Sequence, residues 1–210
     1  VALAVKNLIF DLGGVILDLS VDHTLQAFSD LSGIPRQKVQ EIFISSPGFN
    51  TYEKGGMDDD AFRQYLKQIY AVNVTDGEID SCWNAMLRGL PAVKLSLLLS
   101  LKKKYNVYLL SNTNDIHLSY INQVMLPEVS KESSLDVYFH KAYYSHRMLM
   151  RKPDAEIFER VLDENNLDPA ETLFLDDNAS NVTGAQSVGI KTVHVTTPDL
   201  ILDYFHEQKD

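Results

Sequence analysis

The sequence predicts an α/β chain: a Rossmann-like parallel sheet of about five strands, helices on both faces, and a small helical insertion after strand 1. Three observations carry this. Short apolar runs recur along the chain and end in polar residues. Helix-period stretches alternate with them, as a parallel sheet covered on both faces requires. Between residues 20 and 88 the strand-like runs stop and helical patterns take over.

The first run, Val5 to Phe10, leads into Asp11 and then Gly13-Gly14. Paired glycines after a strand let the backbone turn tightly and approach a ligand. YNVYLL precedes Ser111 and Asn112, and TLFL precedes Asp176 and Asp177. KTVHV reads as a fourth strand, and Val137 to Ala142 as a weaker fifth.

The intervening helices follow the 3.6 period. Residues 89–104 repeat apolar side chains at Leu90, Val93, Leu97, Leu98 and Leu101. A second helix is expected to open at Pro153, which suits a first helical position, and to bury Ile157, Phe158, Val161 and Leu162. A third, over 179–188, is closed by Gly189. Residues 20–88 hold four amphipathic stripes and no convincing strand, which fits a small bundle. The expected organisation is a core of residues 1–19 and 89–210 with an inserted unit of residues 20–88.

The chain has 210 residues, 45% of them hydrophobic, enough for a sizeable core without staples. Its single Cys82 excludes an internal disulfide and a cysteine-based zinc cluster. Nineteen Lys and Arg against 29 Asp and Glu give a net charge of −10. That argues against a nonspecific nucleic-acid surface and an anionic membrane partner. No apolar run approaches the 18 residues of a membrane span, and the first ten residues lack signal-peptide character. A cytoplasmic monomer is the expectation.

Asp11, Ser111, Asp176 and Asp177 each follow a strand, and the carboxyl ends of such strands form the ligand crevice of an open parallel sheet. Lys152 lies just before a helix and can join them. Carboxylates, a hydroxyl and an ammonium at one sheet edge suit metal-assisted phosphoryl transfer. Mg²⁺ favours carboxylate, carbonyl and water oxygens. Asp11 and Asp177 can supply two such ligands and a carbonyl of the glycine turn a third. Aspartate can also act as a nucleophile, and Ser111 and Lys152 can hold phosphoryl oxygens as charge develops.

Four segments, FDLGGVI, LLSNTN, RKPDAEIFE and FLDDNASNVTGAQSVGI, resemble in order the four motifs of the haloacid dehalogenase-like hydrolase superfamily. The closer resemblance is to the branch that contains bacterial α-glucose-1-phosphate phosphatases. The likeness spans nearly the whole chain, with the insertion similar to a type-1 cap. It implies that Asp11 attacks phosphorus and ligates Mg²⁺, and that the Gly13 carbonyl and Asp177 complete the protein's metal ligands. It implies phosphate binding by Ser111 and Lys152, aided by backbone near Asn112. Asp176, Asn178 and Asn181 would support the acidic corner. Cap residues Phe49, Asn50, Tyr52 and Glu53 are candidates to enter the crevice and set specificity, the alternative for Phe49 and Tyr52 being that they pack the cap's own small core. The substrate implied is a small phosphorylated metabolite such as a sugar phosphate.

One position departs from the pattern. Phosphatases of the superfamily usually carry a general acid/base Asp two residues after the nucleophile, where this chain has Gly13. The torsions of Gly13 are expected to suit Asp poorly. Two alternatives stay open: a phosphotransferase or mutase-like enzyme, and a catalytically weak binding or regulatory member. His117 and His146 read as surface or capping residues, and Trp83 as core.

Overall fold

The computed structural model describes residues 4–207. Its core is a five-stranded parallel sheet ordered β5-β4-β1-β6-β7. Strand β1 (Asn7–Phe10) is central, flanked by β4 (Asn106–Ser111) and β6 (Thr172–Asp176), with β5 (Lys141–Tyr144) and β7 (Lys191–His194) at the edges. Phe10 pairs with Leu109 on one side and Leu175 on the other. That register brings the residues just past all three strands to one edge. The strands are buried on both faces, hence their nearly continuous apolar sequences.

The expected insertion follows strand 1. A two-stranded ribbon, β2 (Asp18–Leu19) against β3 (Leu87–Gly89), closes its base. Between them lie five helices: α1 (Val21–Ser32), α2 (Arg36–Ser45), α3 (Gly48–Glu53), α4 (Asp59–Ile69) and α5 (Asp76–Asn84). The sequence reading gave four helices and no strand. Helix α3 escaped it because Pro47-Gly48 reads as a break. Gly48 is there for space: a Cβ on it would lie 2.2 Å from Cε1 of Tyr65. An aromatic core of Phe49, Phe62 and Trp83 ties α3, α4 and α5 together, with Phe49 and Trp83 stacked at 5.5 Å.

The remaining helices cover the sheet: α6 (Ala92–Leu101), α7 (Asp115–Tyr120), α8 (Leu126–Val129), α9 (Ser145–Met148), α10 (Ala155–Asn165), α11 (Ala179–Ser187) and α12 (Leu200–Glu207). Three details differ from expectation. The fifth strand begins at Lys141, and Leu135–Tyr138 forms a 3-10 turn capped by Ser134. Pro153 precedes α10, whose N-cap is Asp154. Helix α6 exposes Val93 and buries Lys94, which reaches Asp18 at 3.4 Å. Gly189, at φ 85°, follows α11 as the sequence suggested. Among the described residues no helix is long and apolar enough to cross a membrane.

Candidate active site

The loop after β1 folds back on itself, with Gly14 N donating to Leu17 O at 2.8 Å and Leu17 N to Leu12 O at 2.8 Å. Gly14 carries the left-handed torsion, φ 74°, whereas Gly13 does not. A Cβ on Gly14 would lie 2.2 Å from Oδ2 of Asp177. Only glycine lets this turn pass so close beneath that carboxylate. The expectation of strain at Gly13 is therefore corrected: it belongs to Gly14. A Cβ on Gly13 would instead meet Cδ2 of Leu19 at 3.2 Å.

Lys152 is the electrostatic centre. Its Nζ donates to Asp11 Oδ1 at 2.7 Å and to Asp176 Oδ2 at 2.6 Å, and the side chain is 1% exposed. Burial disfavours its charge, but the carboxylates of Asp11 and Asp176 outweigh that and hold its pKa above the usual lysine value. Burial pushes Asp11 up to about 7 against the pull of Lys152. Asp177 is raised too, by burial and then by the charge of Asp176.

Both oxygens of Asp176 are already engaged. Oδ1 accepts from Asn178 N at 2.8 Å and Asn181 Nδ2 at 3.1 Å; Oδ2 accepts from Lys152 and from Asn181 at 3.0 Å. Asn178 itself caps α11 by accepting from Ser180 N. Carboxylate oxygens of Asp11, Asp176 and Asp177 lie within 4.8 Å of one another. Three hard oxygen donors around one ammonium fit a divalent cation such as Mg²⁺. With Asp176 saturated, Asp11 and Asp177 are the side chains left to hold it.

Asn112 works through its side chain on the backbone of Lys152. Its Oδ1 accepts from Lys152 N and its Nδ2 donates to Lys152 O, both at 2.9 Å. Ser111 ends β4 and is 2% exposed. It lines, with Gly13 and Asn112, a cavity of about 170 Å³ walled by apolar side chains such as Leu19, Phe43 and Trp83. A larger cleft of about 760 Å³, lined by Asp58, Asp59, Arg63 and Asp115, does not include the Asp11 cluster.

Of the four cap residues singled out, Glu53 alone lines the cavity. Phe49 and Tyr52 are buried in the cap's aromatic core, Tyr52 stacked on Phe62 at 3.9 Å, and Asn50 is exposed. Glu53 pairs with Arg151 at 2.8 Å. The sequence reading did not single out Arg151, although it directly precedes Lys152. His117 and His146 are buried rather than superficial. His117 Nε2 donates to Trp83 O at 3.1 Å, and burial draws its pKa down to about 4. His146 bonds Thr113 O and Asp115. Burial raises the Cys82 thiol to about 11, so it is not a reactive thiolate.

Comparison with known proteins places this geometry in a family. The model of the haloacid dehalogenase-like hydrolases matches residues 5–189. A D-ribitol-5-phosphate phosphatase of Bacteroides thetaiotaomicron is 34% identical over 189 residues, covering 90% of each chain. The sesquiterpene phosphatase astK of Aspergillus oryzae is 31% identical, covering 91% of this chain and 90% of that one. The crystal structure of the HAD family enzyme bt-2542 of Bacteroides thetaiotaomicron, in complex with magnesium and inorganic phosphate, superposes with a TM-score of 0.82. It is 38% identical and the match covers 90% of this chain and 93% of that one. The chain belongs to the haloacid dehalogenase-like hydrolases.

Proposed function

We propose that the protein is a Mg²⁺-dependent phosphatase that hydrolyses a small phosphomonoester through a phosphorylated Asp11. The observation that carries this is the Lys152 ammonium held between Asp11 and Asp176, with Asp177 completing the acidic corner. The bound cation would draw phosphoryl charge and let a dianion approach the carboxylates. Lys152 fixes Asp11 beside the phosphoryl group and, with Ser111, balances its charge. Asn112 keeps Lys152 in place through two backbone hydrogen bonds. Asp176, tied down by Asn178 and Asn181, orients Lys152 rather than the metal.

The substrate is a small one. The cavity beside Gly13 and Ser111 is below the ~300–1,000 Å³ that drug-sized ligands occupy. Similarity to the D-ribitol-5-phosphate phosphatase favours a sugar or polyol phosphate. The α-glucose-1-phosphate phosphatase branch is a narrower reading that rests on the sequence motifs alone. A panel of phosphorylated metabolites, assayed with Mg²⁺, with EDTA and with Asp11→Asn, tests the assignment. Turnover on small esters, lost under both treatments, is expected; turnover indifferent to both would refute it.

A further inference from the structure

Alkyl phosphate hydrolysis needs a proton for the departing oxygen and a base for the incoming water. Gly13 offers neither, and Leu19 occupies the space a side chain there would enter. Two titratable side chains line the adjacent cavity, Glu53 and His117. His117 is committed on both nitrogens, to Trp83 O at 3.1 Å and Asn114 Nδ2 at 3.2 Å. That leaves Glu53.

Glu53 ends α3, so the cap delivers it. Its position is fixed by two bonds between cap and core: Glu53 to Arg151 at 2.8 Å and Lys54 to Asp154 at 3.0 Å. The Glu53 side chain is 25% exposed and that of Arg151 26%. Arg151 Nε is buried without a hydrogen-bond partner among the described residues. A buried N–H left unpaired is costly, which points to an acceptor that arrives with the ligand. The charges facing Glu53 are Arg151 and Lys152; both favour its ionised form, yet burial outweighs them and raises its pKa. An entering phosphoryl dianion adds negative charge beside Arg151 and raises the proton affinity of Glu53 further.

We infer that Glu53 is the proton donor and acceptor for the reaction at Asp11, with Arg151 as the positioning residue that aims it. This rests on the phosphatase reading above. In the first half, a carboxylate oxygen of Asp11 bonds to phosphorus while the bond to the leaving oxygen breaks. The Glu53 proton passes to that oxygen. In the second half, a water oxygen bonds to phosphorus and the phosphorus–Asp11 bond breaks. The water's proton passes to the Glu53 carboxylate, which restores the starting state.

The test compares kcat/KM for an alkyl monophosphate and for p-nitrophenyl phosphate at saturating Mg²⁺ in wild type, Glu53→Gln and Arg151→Met. p-Nitrophenolate leaves without a proton, so the two esters separate acid catalysis from structure. Glu53→Gln is expected to lose about 10²-fold or more on the alkyl ester and under about tenfold on the aryl ester. It should also release a burst of p-nitrophenol, because the phosphorylated Asp11 would then await water without a base. Arg151→Met keeps the carboxyl but loses its aim, so it should show the Glu53→Gln pattern in weaker form: a larger loss on the alkyl ester than on the aryl ester, and a smaller burst. Equal losses on both esters for Glu53→Gln, without a burst, would make Glu53 a latch and overturn the inference. So would unchanged activity. A wild-type chain with no Mg²⁺-dependent turnover of p-nitrophenyl phosphate would instead overturn the phosphatase reading and this inference with it.

Discussion

Cδ2 of Leu19 sits 3.2 Å from the point where a Cβ on Gly13 would project, while the neighbouring Gly14 faces Asp177 at 2.2 Å. The two glycines of one turn are thus constrained by different neighbours. Leu19 is 40% exposed at the base of the cap and can yield; the Asp177 carboxylate is part of the acidic corner and cannot move without changing it.

Gly13→Ala should therefore fold and keep its metal affinity within a few-fold. Gly14→Ala should lose both stability and Mg²⁺ binding, because it combines a left-handed torsion with a collision. Thermal melting with and without Mg²⁺ reads both effects. Similar behaviour of the two variants would contradict this division.

Gly13→Asp should give little gain alone, since its carboxyl must displace Leu19. Paired with Leu19→Ala in a Glu53→Gln background, it should restore kcat/KM on an alkyl phosphate by about ten- to a hundredfold, within the range of positioned acid catalysis. The gain on an aryl phosphate should be smaller, because that leaving group needs no proton. An equal gain on both esters would contradict the leaving-group argument.

Lys152→Met leaves Asp11 and Asp176 facing each other without a cation. Breaking a buried pair in this way costs about 3–5 kcal/mol. The loss, followed by urea unfolding, should be larger at pH 8 than at pH 5. Burial already raises the Asp11 pKa with Lys152 beside it, and losing the ammonium raises it further, so Asp11 takes up a proton at the lower pH and relieves the repulsion.

His117 gives a second pH dependence of stability. Its folded pKa of about 4 lies below the ordinary value of 6.5, because burial penalises the charged ring. Between these values the unfolded chain binds more protons, so stability falls as pH drops from 6.5 to 4. The gap corresponds to about 3 kcal/mol. His117→Gln should flatten the stability profile across that window while leaving its slope above pH 7 unchanged. A slope undiminished by the substitution would assign the acid sensitivity elsewhere.

Much of the candidate site's convergence was legible because its residues terminate short apolar runs. Asp11, Ser111 and Asp176 each follow four or more buried strand residues, and parallel register carries them to one edge. Asn112 was legible as a neighbour of the site, but its clasp on the Lys152 backbone depends on a contact across 40 residues. Helix α3 was hidden because Pro47-Gly48 reads as a turn, when Gly48 is the gap into which Tyr65 fits. Phe49 and Tyr52 look like crevice residues until α3 is seen to turn them into the cap's aromatic core. Which of two adjacent glycines is strained is a matter of torsion, and neighbouring glycines look alike in sequence.

Phosphorylation of Asp11 is the step on which the account depends most. It can be measured directly by acid-quenching the protein during turnover of a ³²P-labelled phosphomonoester with Mg²⁺. The account predicts protein-bound label that hydroxylamine removes, and that is absent with EDTA and in Asp11→Asn. Mg²⁺-dependent turnover that persists undiminished in Asp11→Asn would contradict it.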